Sequence, residues 1–250
     1  MSGLTHGTLL GGRVVHTQPA TGHRTGLEPV LLAASIPTRP GERVLEGGTG
    51  SGAGLLCLAA RVPGAAGVGV ERDAATADLA RANIAANGFA GLDIVTADLL
   101  AGPLSGLFDH TFANPPWHDA HGSRSPDAHK ESSKRAAPGL LAAWVAALAA
   151  PLRWRGTLTL VIAAGVVPEV LAACAAQGCG SLALLPLWPR QPGPAAKLLL
   201  IRAIKGGRGP FRLLPGLVLH GSGSTYTAAC QAVLKGGAAL EFDAPAARHG

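Results

Sequence analysis

Aromatic side chains are scarce here: phenylalanine, tryptophan and tyrosine make up 4% of the 250 residues, and Tyr226 is the sole tyrosine. Charge is also thin, at 14% against 48% hydrophobic residues. That balance excludes a disordered chain and suits a globular one able to bury a substantial core. Long apolar runs are missing as well. The longest candidate, Gly139 to Leu152, carries Trp144 and falls short of the ~20 residues a membrane span needs, so a membrane protein is not expected and the stretch reads as a buried helix. The four cysteines (Cys57, Cys174, Cys179, Cys230) form no Cys-x-x-Cys pair. Buried, reduced thiols are expected, rather than a zinc site or disulfides. Nine histidines show no metal-ligand spacing, and no nucleophile elbow stands out, so no metal is expected. Met1 to His16 has no positive cluster leading into an apolar stretch, so no export signal is expected and the anticipated location is cytoplasmic.

What the chain does hold is glycine, 35 residues of it, and a basic excess of 21 over 15 that gives a net charge of +6. A basic surface favours a polyanionic partner, because neutralising phosphates releases counterions. The basic residues gather in two places. One holds Arg124, His129, Lys130, Lys134 and Arg135; the other holds Arg202, Lys205, Arg208 and Arg212.

From residue 43 onward, short β-like runs alternate with helical patterns, which predicts an α/β fold with a mostly parallel sheet. Strands are expected at Arg43–Glu46, Gly67–Glu71, Leu92–Thr96, Asp109–Ala113 and Thr157–Ala163, with Leu182–Leu187 and Lys197–Ala203 as a closing pair. Helices are expected near Gly54–Arg61, over Ala74 to Asn87 with Gly88 at the C′ position, from Pro138 through Ala150, over Pro168–Gln177 and over Tyr226–Leu234. The expected organisation is an N-terminal extension over 1–42 with a helical run at Val30–Ile36, a core over 43–205, and an addition over 206–250 with a further strand near Leu213–Leu219.

Chemistry concentrates in two segments. In Val44-Leu45-Glu46-Gly47-Gly48-Thr49-Gly50-Ser51-Gly52, glycines between a strand and a helix let the backbone approach a ligand, and the helix start presents free N–H groups. Gly48-x-Gly50-x-x-Ala53 also satisfies the dinucleotide fingerprint, with Glu71 placed for a ribose, so these residues alone leave a nicotinamide or flavin open. Two further acids shift the balance. Glu46 can meet an ammonium group but would repel a pyrophosphate, and Asp98, after the third strand, can accept from an adenine amine. S-adenosylmethionine, with an amino acid end, a ribose, an adenine and no phosphate, answers all three acids.

The second segment is Phe112-Ala113-Asn114-Pro115-Pro116-Trp117, after the fourth strand. An adenine or amide nitrogen is a poor nucleophile because its lone pair is delocalised. The Asn114 side-chain oxygen and the Pro115 carbonyl can both accept from that NH2, localise the lone pair and aim it at a sulfonium methyl. Pro115 and Pro116 fix the backbone, and Trp117 offers a face for stacking a base, worth ~1–3 kcal/mol.

With Arg24-Thr25-Gly26-Leu27-Glu28-Pro29-Val30-Leu31-Leu32 near the start and Leu217-Val218-Leu219-His220 followed by Tyr226-Thr227 in the tail, these motifs resemble those of the class I S-adenosylmethionine-dependent methyltransferases that modify adenine N6 beside the anticodon of valine tRNA. The resemblance implies a seven-stranded, mostly parallel sheet with helices on both faces and an antiparallel last strand. It implies a cofactor held by Glu46, Gly48, Thr49, Gly50, Gly52, Glu71, Arg72, Asp98, Leu99 and Asn114, with tRNA as partner. Arg24, Lys130, Lys134 and Arg135 are the candidate RNA contacts. The glycine loop and Asn-Pro-Pro are also similar to those of enzymes that methylate a glutamine of a translation release factor. The basic balance, and only 42 residues before the first strand, favour RNA over that alternative. A monomer and a homodimer both remain open.

Overall fold

The computed structural model describes residues 3–21, 25–102, 104, 106–116 and 139–242. Among these, nine strands form one sheet in the order β10-β8-β9-β7-β6-β3-β4-β5, with β11 also pairing β8. The core strands are β3 (Arg43–Gly47), β4 (Ala66–Glu71), β5 (Leu92–Thr96), β6 (Phe108–Ala113), β7 (Leu152–Ala163), β8 (Cys179–Trp188) and β9 (Leu198–Lys205). All pairings are parallel except those of β9, which runs antiparallel to both β7 and β8. These are the seven strands implied above, extended at the β8 edge by two short parallel strands, β10 (Arg212–Leu213) and β11 (Leu217–Val218). Pro215-Gly216 lies between them, so the single expected strand over 213–219 is broken in two.

Central strands bury consecutive residues because both sheet faces are covered: Val44 to Gly47 of β3 and His110 to Ala113 of β6 are all buried. Helices α1 (Glu28–Ser35), α2 (Ala53–Arg61), α3 (Ala74–Asn87) and α6 (Ala228–Leu234) contribute to one core with Val44, Phe112 and Val161. Helices α4 (Leu140–Ala149) and α5 (Val167–Ala176) contribute to the other with Leu45, Leu158 and Leu160. Asp73 caps α3 by accepting from the Thr76 N–H at 2.8 Å, and Gly88 ends it at φ +68°. No helix among the described residues is long and apolar enough to cross a membrane.

The sequence pattern does not anticipate the N-terminal hairpin of β1 (Leu4–Leu9) and β2 (Val14–Pro19), joined by a 3-10 turn. Its attachment to the core is polar and specific. Asn83 and Asn87, one turn apart on α3, act as a substitute strand edge for β2. The Thr17 N–H donates to the Asn83 side-chain oxygen and the Val15 N–H to that of Asn87, each at 2.9 Å, and both side-chain amides donate back to the Thr17 and Val15 carbonyls.

The basic stretch that starts at Arg202 divides between interior and surface. Arg202 on β9 is 7% exposed, donates to the Ser35 carbonyl, and lies 4.1 Å from the centre of the Phe242 ring. Arg61 donates to the Ala33 and Ile36 carbonyls at 3.0 and 2.5 Å. Two arginines thus satisfy the carbonyls left over at the C-terminal end of α1, where the helix dipole also favours cations. Arg202 is a helix cap and not part of a surface for phosphate.

Candidate active site

The strand order reverses between β3 and β6, because β4 and β5 lie on one side of β3 while β6 and β7 lie on the other. At such a switch point the two loops leaving the strand ends diverge and open a crevice. The register brings the sequence motifs there: Gly47 pairs with both Val70 and Ala113, so Asn114 leaves β6 beside the residue that opens the glycine turn. Glu71 pairs with Thr96, which sets Asp98 two residues beyond the end of β5 on the same sheet edge.

Within the turn, Gly48, Gly50 and Gly52 take positive φ, at +63°, +57° and +89°. Thr49 donates its N–H to the Val70 carbonyl at 3.1 Å and accepts from the Gly52 N–H at 2.9 Å, which folds the segment tightly against β4. A Cβ on Gly54 would collide with the Glu46 carboxylate, so the first turn of α2 can close over that group only without a side chain there. At Gly50 the space a Cβ would enter is open. The Gly50 N–H donates to one Glu71 oxygen and the Asp73 N–H to the other, each at 3.0 Å, fixing Glu71 across the turn.

Glu46 is 5% exposed. One carboxylate oxygen accepts from the Thr49 hydroxyl at 2.5 Å and from the Leu55 N–H at 3.1 Å. Burial pushes its pKa up to about 7, against those two hydrogen bonds, and the neighbouring Glu71 charge adds to the rise. A buried carboxylate held near neutrality at the rim of a glycine turn fits a ligand that brings a cationic ammonium, and the open side of Gly50 fits close approach of that ligand to the backbone.

Asp98 is exposed, with one oxygen accepting from the Leu100 N–H at 2.9 Å. Arg72 is exposed, just past Glu71. Leu99 directs its side chain inward. It is 5% exposed and packs in the core behind the turn, where its side chain would meet a Cβ on Gly47 at 2.8 Å. Asn114 and Pro116 are half-buried and Pro115 is buried. Arg24, Trp117, Lys130, Lys134 and Arg135 lie outside the described residues.

Three contributors escaped sequence reasoning. His16, 4% exposed, shares a 2.9 Å hydrogen bond with the Ser51 hydroxyl inside the glycine turn, and burial lowers its pKa. Asn83 donates to the Ser51 carbonyl at 2.9 Å while holding β2, so hairpin, α3 and turn share one amide. Trp144 of α4 stacks under the turn, 2.8 Å from where a Gly48 Cβ would lie. A tryptophan spaced for a core helix and a histidine outside any motif give no signal in sequence. Among the described residues no group of three or more His, Cys, Asp or Glu gathers as a metal site.

Comparison with known proteins identifies the family. Residues 28–164, more than half of the chain, match the methyltransferase small domain family. Two curated relatives from strains of Porphyromonas gingivalis, each named tRNA1(Val) (adenine(37)-N6)-methyltransferase, are 35% and 34% identical over 124 and 125 residues. Those alignments take in 44% of this chain, which spans about half the length of the relatives (49% and 47%). A structure from Agrobacterium tumefaciens, described as a predicted O-methyltransferase, matches 85% of this chain and 98% of its own with a TM-score of 0.71 and 26% identity. The fold is shared with a Thermotoga maritima S-adenosylmethionine-dependent O-methyltransferase (TM-score 0.55, 19% identity, 76% and 69% covered). It is also shared with a Streptomyces coelicolor geranyl diphosphate C-methyltransferase in complex with S-adenosyl-L-homocysteine (TM-score 0.52, 12% identity, 71% and 74% covered). The chain therefore belongs to the methyltransferase small domain family, and its cofactor is S-adenosyl-L-methionine.

Proposed function

We propose that this methyltransferase modifies the exocyclic N6 amine of an adenine in tRNA, next to the anticodon, in the cytoplasm. The observation that carries the reading is Asn114-Pro115-Pro116 leaving β6 at the strand-order reversal, one residue beyond the Ala113–Gly47 pair. When bound, S-adenosylmethionine supplies an electrophilic methyl on a sulfonium. The chain's own work is then to bind, orient and polarise. Glu46 pairs with the ammonium end, Glu71 with the ribose hydroxyls and Asp98 with the adenine amine of the cofactor. The Asn114 side-chain oxygen and the Pro115 carbonyl accept from the two N–H groups of the target amine, which raises its nucleophilicity and sets it in line. No general base is required, because the methylated nitrogen is acidic enough to release its proton to water. Trp117 stacks the target base, and Arg24, Lys130, Lys134 and Arg135 contact phosphates. The names of the curated relatives support adenine in tRNA as the substrate.

Asn114→Ala tests the orienting role. The variant is expected to bind S-adenosylhomocysteine within about twofold of wild type in calorimetry, and to lose at least ~100-fold in turnover on unmodified tRNA, since one positioned charge-stabilising group is worth ~10²–10³. Turnover near the wild-type value would remove Asn114 from the mechanism.

A further inference from the structure

At the end of the sheet opposite the glycine turn, the chain leaves α4 and enters β7 through a wide bulge. Leu152 pairs with Phe108 and Thr157 with His110, so five steps along β7 answer two along β6. Arg153-Trp154-Arg155-Gly156 stand against the single Asp109, and Arg155 sits at φ +68°, a left-handed conformation that a residue with a Cβ rarely takes. Bulges re-aim side chains, and a strained residue persists where the arrangement around it is held.

The side chain aimed outward is Trp154. It is 71% exposed, more than any other large hydrophobic residue described. Its indole rests on Gly206, where any Cβ would collide with the ring. Arg153 is answered by Asp109 at 2.7 Å. Arg155 and Arg208 are exposed and form no ion pair with a described residue. Arg155 follows the indole directly in the chain, and Arg208 stands two residues past the glycine under it.

We propose that this bulge is a second RNA-contacting surface, on which Trp154 stacks against an unpaired base while Arg155 and Arg208 take neighbouring phosphates. An exposed indole, with one exposed arginine next to it in the chain and another two residues past the glycine it rests on, matches a polyanion built of planar rings. A second copy of this chain fits less well, because a two-fold interface would bring the same patch against itself and set Arg155 and Arg208 close to their own equivalents. The inference rests on RNA being the substrate, as proposed above. From Gly156 to Ala163, β7 covers roughly 23 Å at ~3.3 Å per step, about seven steps of a nucleic-acid helix at ~3.4 Å each. An RNA engaged at Asn114 can therefore reach Trp154, whereas Trp154 cannot touch the reacting base. The surface acts on KM and leaves kcat alone.

The test is binding of unmodified bulk tRNA by fluorescence anisotropy across a salt series, with steady-state kinetics, for wild type, Trp154→Ala, Arg155→Gly and Arg208→Ala. Trp154→Ala is expected to raise Kd and KM about 5- to 150-fold, the equivalent of one stacked base, with kcat unchanged. Arg155→Gly relieves the backbone and is expected to raise the melting temperature by about 2–4 °C. It should still weaken RNA binding and flatten the log–log salt slope by ~0.7–0.9, as should Arg208→Ala without the gain in stability. A purely structural bulge would change stability and leave RNA affinity untouched. RNA affinity retained by all three variants overturns the inference and leaves the substrate reading standing. So does retained affinity with loss of a homodimer in size-exclusion chromatography, which would assign the patch to a second copy. A wild-type protein that binds no tRNA overturns the substrate reading and this surface with it.

Discussion

At Glu46 the folded chain keeps a carboxylate away from water with its pKa near 7, against 4.5 for the free side chain. Because the folded value is the higher one, the folded state holds the proton more tightly. The associated stability is complete below pH 4.5 and is lost as pH rises through 7, a change of roughly 3 kcal/mol at ~1.36 kcal/mol per unit. Glu46→Gln should remove that loss: in denaturant titrations the variant is expected to match wild type at pH 4.5 and exceed it by about 2–3 kcal/mol at pH 8. Equal stability at both values would show that Glu46 titrates normally. The same substitution should cost ligand affinity. Wild-type affinity for S-adenosylhomocysteine is expected to rise with pH through 7 as Glu46 ionises, until the ligand's own ammonium begins to titrate near ~8; Glu46→Gln should lose the rising limb. The candidate site could be proposed from sequence because glycine, acid and Asn-Pro-Pro are rare signals in fixed places, and the register sets those segments at one edge of the sheet. Leu99 shows the limit: its side chain turns into the core, and nothing in the motif announces that direction.

Elements were most readable where local chemistry and burial agree. Helix α3 has the bounds expected from its pattern, Ala74–Asn87, because Asp73 caps its start and Gly88 ends it in the left-handed region. Strand β7 begins five residues earlier than the expected Thr157, since Arg153-Trp154-Arg155-Gly156 lacks strand alternation and joins the sheet only through the bulge. The β1–β2 hairpin left no trace in the pattern. Its partners are two asparagines on a helix about seventy residues away, and nothing in a short strand's own composition announces them. Asn83→Ala tests that attachment. It removes the partner of the Thr17 N–H and frees the Thr17 and Ser51 carbonyls, each left group costing ~1–3 kcal/mol where water cannot replace the bond. The variant should lose hydrogen-exchange protection at Thr17 and bind S-adenosylhomocysteine more weakly, because Ser51 belongs to the glycine turn. Unchanged protection at Thr17 would mean that pairing with β1 alone holds β2 in place.

For the molecule as a whole, a net charge of +6 does not say where a polyanion sits. Within the second basic stretch, Arg202 is spent on capping α1 and Lys205 donates to the Ala149 carbonyl at 2.9 Å, while Arg208 is exposed. Burial, which decides between a cap and a phosphate contact, depends on which strand a residue joins, and linear charge patterning does not carry that information. The fold and cofactor follow from the switch point and its glycine turn, whereas the substrate follows from what Asn114 and the surrounding surface can recognise. The most direct test incubates the protein with labelled S-adenosylmethionine and unmodified tRNA, then separates the nucleosides of the product. An adenine-N6 enzyme leaves label in N6-methyladenosine, from a position beside the anticodon. Label in no nucleoside, from protein that binds S-adenosylhomocysteine, would contradict that substrate and turn attention to the glutamine side chain of a release factor as the planar nitrogen.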